Sequence, residues 1–543
     1  MKKITFLIAF FIFINANAQW IADTAVNTLV ADSRGVDMKA IGTSDGKTYV
    51  VFWKSVSAPT NFELRLQILN VDGTKLLGSD GMLVSDTIPM ATFTVIWSIT
   101  VDDNDNLYIG ATGTGSNLPA YVFKLDSSGN HLWGTGGINV GIGFQVTVLP
   151  LSAGGAIVSW RGDGTTQAEM QKYDSSGTAL WPTTQPVVAG TDTTYPADMF
   201  ELSNGDYVMV FHEITFQIYS ELYAQRYNSD GVAQWASATH LANKGTVFNT
   251  TYSSAQDGDV IYYGFKGVTG LRFDSFLQRI NPDGTLPWGI NGMDFDTNET
   301  DYEQETLIAF SPGSQYVWSI CTYTSSGQGQ KGEYVQKFDK VTGVRQFTDT
   351  AKNLYAVGDD HNIHAGTGPL FLINDQPFFL LKSGIDNGAS PTTLSAVLLD
   401  ANGDFAWVEE SRPVATFSAN KSRIQFTKPV NNQSVALFIE NKSVEDKIYA
   451  QNYLDPTLSV ESVEMNHANI HFINPVSAEL NIKSDVLLNE IYIYDMLGQE
   501  IYKNVNINLT ELTINSQNWI SGIYLMTIVT SSEMQKGIKI LKR

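Results

Sequence analysis

The residues best suited to chemistry fall in two short stretches. Asp294, Asp296, Glu299, Asp301, Glu303 and Glu305 crowd one of them. Carboxylates gathered on a connection suit a hard divalent cation such as Ca2+. The second reads Asp359-Asp360-His361-Asn362-Ile363-His364. There His361 and His364, with Asp359 or Asp360, form a candidate transition-metal set. Neither spacing completes a known signature: the first is not an EF-hand loop, and His-x-x-His stands alone. Solvated loops on an acidic chain carry the same residue types, and this chain has a net charge of −22.

That charge disfavours nucleic acid and anionic lipid as partners, since both require phosphate neutralisation. Cys321 is the only cysteine, so no intramolecular disulfide can form, and its strand-like context predicts a buried small side chain. Arg161-Gly162-Asp163 is a three-residue match in a glycine-rich loop. His212-Glu213 has no partner readable from sequence, and Asp102 to Asn106 coincides with a hairpin turn. No nucleophile elbow, zinc-protease helix or phosphate-binding glycine loop occurs, and no catalytic residue is assigned.

The elements that must position these groups come from one repeated pattern. In Gln171-Lys-Tyr-Asp-Ser-Ser-Gly-Thr-Ala-Leu-Trp181, an alternating strand leads into an Asp-x-x-Gly turn, with an aromatic four residues after the glycine. The pattern recurs at Gly129 with Trp133, Gly231 with Trp235, Gly284 with Trp288 and Gly403 with Trp407, and in altered form at Gly73 with Leu77 and Gly343 with Phe347. The period, about 55 residues, signals a propeller, solenoid or array. Hairpin turns such as Ser203-Asn204-Gly205-Asp206 precede each copy. The expected unit is therefore a four-stranded antiparallel blade, with the segment around the tryptophan as its fourth strand.

The broken ends of the repeat complete each other. Tyr449-Ala-Gln-Asn-Tyr453 matches Tyr223-Ala-Gln-Arg-Tyr227 but lacks a following glycine and tryptophan, whereas Gln19-Trp20 resembles Gln234-Trp235. The expectation is an all-β fold: an eight-bladed β-propeller whose N-terminal strand closes the last blade, which removes free sheet edges. The Asp-x-x-(Thr)-Gly-x-x-x-Trp pattern resembles the tryptophan-docking motif of eight-bladed quinoprotein-type propellers. That resemblance implies an aromatic packed between neighbouring blades and a glycine that permits the close turn. The quinone-binding members use vicinal cysteines, which this chain lacks.

Both ends of the chain look like addresses. Lys2 and Lys3, the apolar run Ile4 to Ile14 and Ala16-Asn17-Ala18 read as a signal peptide over residues 1–18. The apolar run is shorter than the about 20 residues a membrane span requires. The propeller is expected over 19–458, a polar linker over 459–466 and a small β-sandwich over 467–543. That last module contains Leu480-Asn-Ile482, Ile491-Tyr-Ile-Tyr-Asp-Met-Leu-Gly-Gln499, Ser521-Gly-Ile-Tyr-Leu525 and Lys536-Gly-Ile-Lys-Ile540. The set resembles the type A C-terminal sorting domain of the type IX secretion system. The resemblance implies the secretion machinery as a partner, passage through the periplasm, and a secreted or cell-surface destination. The body then reads as a non-catalytic binding or adhesion protein for glycan or protein. The alternative is a surface polysaccharide hydrolase or lyase with carboxylates or histidine near the channel mouth.

Overall fold

The computed structural model describes residues 20–32, 34–58, 61–89, 95–114, 118–162, 167–190, 192–216, 219–246, 253–358, 369–385, 390–442, 445–455, 470–472, 476–495, 499–530 and 534–542. The expected signal peptide, Gln19 and the residues 359–364 lie outside them. The chain divides into two compact units, Met1–Ser459 and Val460–Arg543. Among the described residues every regular element is a strand.

In the first unit the repeats build antiparallel sheets. The first contains Gly35–Gly42, Thr48–Ser55, Phe62–Leu69 and Met82–Ser85 in that order. The second, Val95–Val101, Leu107–Thr112 and Pro119–Leu125, ends on the front of the long strand Ile138–Pro150. The rear of that strand starts the third sheet, followed by Ala156–Gly162, Ala168–Tyr173 and Gln185–Val187. Thr193–Glu201, Tyr207–Phe216, Tyr219–Tyr227 and Thr239–Thr246 form the fourth. Ser253–Asp257, Val260–Thr269, Arg272–Ile280 and Met293–Asp294 form the fifth. The sixth runs from Tyr302–Ala309 to Lys352–Tyr355, and the seventh from Phe371–Ile373 to Arg412–Ala419.

The last sheet joins the two ends of the unit. Lys421–Phe426, Gln433–Asn441 and Asp446–Leu454 take Thr28–Leu29 as their outer strand, with Thr28 opposite Ala450 and Leu29 opposite Tyr449. The N-terminal segment is held there by more than two ladder residues. Asn27 donates to Glu440 Oε2 at 2.8 Å, and the fully buried Lys421 ammonium lies 3.1 Å from Glu440 Oε1. Fraying of the N-terminal segment would take the Asn27 donor from the buried Glu440 carboxylate, which costs free energy.

Apolar clusters fill the gaps between successive sheets, as with Leu64 and Leu66 against Ile109 and Phe123. The last gap, filled by Met38, Val50 and Phe52 against Val435, Leu437 and Ile448, joins the last sheet to the first. The packing therefore returns on itself, in a propeller-like arrangement.

The organising motif explains how one sheet is keyed to the next. A buried glutamine in the third strand grips the aromatic's backbone: Gln171 accepts from Trp181 N at 3.2 Å and donates to Trp181 O at 3.1 Å. Gln225 does the same for Trp235, and Gln336 accepts from Phe347 N. Four of the repeat indoles then reach the Asp-x-x-Gly turn of the following repeat. Trp133 donates to Ser175 O, Trp181 to Ser229 O, Trp235 to Pro282 O and Trp288 to Val341 O, all at 3.1–3.2 Å. Trp20 donates to Val71 O at 2.8 Å, so the N-terminal aromatic serves the last sheet and docks on the first repeat.

The turn glycines lie under these rings. A Cβ at Gly177, already at φ +85°, would stand 2.8 Å from Trp133, and one at Gly73 would stand 2.8 Å from Trp20. No side chain fits there. One expectation needs correction. The fourth strand begins four or five residues after the tryptophan, as at Gln185 after Trp181 and Ile138 after Trp133, because the aromatic is used in the turn. Trp133 and Trp181 are buried, but Trp235, Trp288 and Trp407 are only half-buried.

In the second unit Glu479–Asp495 is the central strand, pairing with Glu500–Asn515 on one side and Gly522–Thr530 on the other. Met534–Lys542 pairs with Gly522–Thr530. Leu480, Ile482, Ile491, Ile493, Met526, Ile528 and Ile540 form its core. The described strands make one hydrogen-bonded set.

Candidate functional site

The two faces of the first unit are built differently. Hairpin turns and Asp-x-x-Gly turns share one face, and they satisfy themselves. Asp174 Oδ1 accepts from Ser176 N and Thr178 N at 2.9 Å, and Asn228 repeats the arrangement with Asp230 and Val232. The opposite face carries connections from each second to third strand and from sheet to sheet, where length varies and function is usually housed.

On that face the passage from the fifth to the sixth sheet gathers three carboxylates. Oxygens of Asp294, Asp296 and Glu303 all lie within 4.8 Å of one another. Asp294 ends a strand, Asp296 follows it, and Glu303 enters the next sheet opposite Tyr323. Asp296 accepts from Tyr323 Oη and from Asn298 N, the latter at 2.7 Å, while Ser275 N donates to Glu303 Oε2 at 2.7 Å. Arg345 holds the passage through the carbonyls of Asp294 and Asp296, at 2.8 and 3.0 Å.

Burial, followed by the charge of Asp296, pushes Glu303 well above the usual carboxylate range. Burial and then Asp274 raise Asp294 to about 6, with Arg345 pulling the other way. Carboxylates this close, two of them buried and one half-buried, cannot all ionise without compensation. They share a proton, or they supply part of the oxygen shell of a hard cation such as Ca2+, which takes six to eight ligands. The remainder of the acidic stretch does not join them. Glu299 pairs with Arg272 at 2.6 Å, Asp301 accepts from Asn298, and the side chain of Glu305 lies outside the described residues. The other candidate metal set, Asp359, Asp360, His361 and His364, also lies outside them.

Sequence reasoning missed a second group, on the fourth sheet. Tyr223 Oη donates to Glu221 Oε2 at 3.0 Å, and its ring stacks on His240 with centroids 4.6 Å apart. His240 Nε2 lies 3.1 Å from the same Glu221 oxygen. Glu213, directly across the ladder from Glu221, accepts from Gly190 N at 2.8 Å. Burial raises Glu213 above its ordinary range, and Asp192 and Glu221 add to the effect. A phenol, an imidazole and two carboxylates thus converge where the sequence offered only a strand-end His-Glu pair. The signal was there in retrospect: Glu221 and Tyr223 alternate on one strand opposite Glu213, which only the register reveals.

Three other singled-out residues, His212, Cys321 and Asp102, have structural roles. His212 is buried between Ser220 and Thr246, and burial lowers it to about 3, so it stays neutral. Cys321 is fully buried. Asp102 closes its hairpin by accepting from Asn104 N and Asn106 N. Arg161 turns its guanidinium over Tyr195, and Asp163 lies outside the described residues.

Residues 472–543 match a family model described as a secretion system C-terminal sorting domain, in agreement with the type IX resemblance. The protein is therefore exported to the outer cell surface or secreted, and the domain implies interaction with the secretion machinery. No curated protein matches the chain. Among solved structures, the chain is similar to a Dos1 propeller at 11% identity and a TM-score of 0.42, covering 79% of this chain and 95% of that one. It is also similar to Drosophila Semaphorin 2a, at 9% identity and 0.37, covering 84% and 97%. A Dyadobacter fermentans protein of unknown function gives 9% and 0.36, covering 79% and 98%. Likenesses this remote carry no functional inference. Among the described residues no helix is long and apolar enough to cross a membrane.

Proposed function

We propose that the chain is an eight-bladed β-propeller carried outside the cell, and that it binds an extracellular glycan or protein through its long-connection face without transforming it. Residues 1–18 act as a signal peptide, 19–458 form the propeller, 459–466 a linker, and 467–543 a sorting sandwich that is cleaved after export, leaving the body attached to the surface or released. The observation that carries the binding reading is how the repeat tryptophans are used. The indoles of Trp133, Trp181, Trp235 and Trp288 are committed to carbonyls of the neighbouring repeat, which favours recognition on the opposite face.

The test is glycan-array binding by the full-length exported protein, with turnover measured on every sugar retained. Retention without turnover is expected; product formation would move the protein to the enzyme class. Deleting residues 467–543 should leave a folded propeller in the periplasm, and its unchanged appearance outside would remove the export assignment.

A second reading, a polysaccharide hydrolase or lyase, is favoured by one observation: the Glu213, Tyr223, Glu221 and His240 group. Paired carboxylates with a proton-bearing neighbour are the equipment of glycosidic bond cleavage. It predicts release of reducing or unsaturated ends from a bound sugar, abolished in Tyr223→Phe.

A further inference from the structure

Aromatic side chains also occur away from the repeat position. Trp97, Phe144 and Tyr195 stand near the start of the innermost strand of the second, third and fourth sheets. These strands begin at the long-connection face, so all three stand at that face, on the first strands of successive sheets. Trp97 and Phe144 have centroids 6.2 Å apart at 37°, and Phe144 and Tyr195 5.9 Å apart at 52°. Each is half-buried. The Arg161 guanidinium caps the row, 5.2 Å from the Tyr195 centroid.

Charge continues the row at its other end. Ile96 N, beside Trp97, lies 3.3 Å from Asp37 Oδ2, and Arg423 Nε lies 3.3 Å from Asp37 Oδ1. Asp37 and Arg423 come from the innermost strands of the first and last sheets. Arg423 adopts φ +52°, a left-handed conformation rare for a long side chain, and its side chain is 59% exposed. The ladder register shifts next to Asp37, Trp97 and Arg423. Bulges of this kind re-aim side chains, and they are frequent beside functional sites. Strain of this kind is likewise concentrated at such sites.

We propose that this arc, from Arg423 and Asp37 through Trp97, Phe144 and Tyr195 to Arg161, is a binding subsite for a neutral polysaccharide. The inference rests on the binding reading above and names its ligand. Pyranose rings present an apolar C–H face and a hydroxyl rim. Tilted, half-exposed aromatic rings match the first by apolar burial. The two guanidiniums match the second as donors, with the buried Asp37 carboxylate holding the exposed Arg423 in place. Charge decides between neutral and anionic chains: the protein carries −22 overall, which repels a polyanion. Trp97 also packs on the cluster between the second and third sheets and donates to Thr112 Oγ1 at 2.9 Å, but the scaffold does not place an aromatic here in every sheet, since the sixth has Glu303 near the start of its innermost strand.

Native gel electrophoresis of the full-length protein through laminarin, hydroxyethyl cellulose or xyloglucan tests this, with polygalacturonate and a polyproline peptide as competing probes. At least one neutral polysaccharide should retard the protein. Trp97→Ala and Tyr195→Ala should each weaken retardation about tenfold, as expected for loss of one stacking platform, with Trp97→Phe largely retained. Unchanged melting temperatures guard against misfolding. Retardation unaffected in folded alanine variants would refute the arc while leaving the binding reading intact. Response only to polygalacturonate or the peptide would overturn the neutral-sugar assignment. If no probe in this panel or on the glycan array binds, the arc and the glycan reading fall together.

Discussion

The carboxylates on the two faces of the propeller-like unit have been driven in opposite directions. On the turn face, hydrogen bonds from Thr74, Ser176 and Thr285 hold Asp72, Asp174 and Asp283 below the ordinary range. Asp339, bonded by Thr342 and Gln315, falls to about 2. On the long-connection face, burial raises Asp37, Glu213, Asp294 and Glu303. The turn face repeats one self-satisfied solution. The other face carries buried acids whose neighbours do not fully compensate them, an arrangement that stability alone does not favour. Substitutions should therefore act with opposite signs on the two faces.

The largest effect belongs to the turn face. Trp181 is buried in a cluster with Leu151, Met170, Tyr207 and Tyr227, so Trp181→Ala should destabilise the protein by about 3–5 kcal/mol. Because each sheet packs mainly on its neighbours, protection from hydrogen exchange should fall first in the third and fourth sheets. Polysaccharide retardation should persist below the lowered melting temperature. A Trp181→Ala protein of unchanged stability that no longer binds would erase the distinction between scaffold and long-connection-face aromatics.

A smaller loss is expected at the clamp. Gln171→Leu preserves bulk but strands Trp181 N, Trp181 O and Lys172 N, all of which now bond its amide. Leaving buried backbone groups unpaired should cost about 2–3 kcal/mol, read by chemical denaturation. A neutral outcome would mean that the ring alone, and not its fixed backbone, keys one sheet to the next.

Periodicity explains what could be read beforehand. The antiparallel sheets, the docking of Trp133 on the turn at Gly177 and the pairing of Thr28 with Ala450 were legible because a repeat states the same physical rule many times. Single departures were less legible. The sequence placed Asp294, Asp296 and Glu303 among six acids, but which three would meet depended on the bulge between Glu303 and Glu305. The aromatic row was invisible for a related reason. Trp97, Phe144 and Tyr195 occupy different local sequences, and only the packing of three successive sheets brings their rings together.

The smallest effect should also have the opposite sign. The folded state raises Asp294 to about 6 from an ordinary value of 3.8, through burial and then Asp274. Between about pH 4 and 6 the folded protein therefore holds a proton that the unfolded chain releases, and stability falls as pH rises through that window. Above it the ionised carboxylate stays half-buried beside Asp296 and Glu303. Asp294→Asn removes the repulsion while keeping the shape, and should raise stability at pH 8 by about 1–2 kcal/mol. It should also flatten the decline between pH 4 and 6, while the acid limb set by the turn-face carboxylates remains. Melting temperatures measured across that range, with and without added Ca2+, separate the two states of the cluster. A proton-sharing cluster gives a stabilised Asn variant and no response to Ca2+. If instead Ca2+ raises the wild-type melting temperature and Asp294→Asn abolishes that rise, the raised acids are cation ligands, and the contrast between the faces is one of ligation rather than stored repulsion.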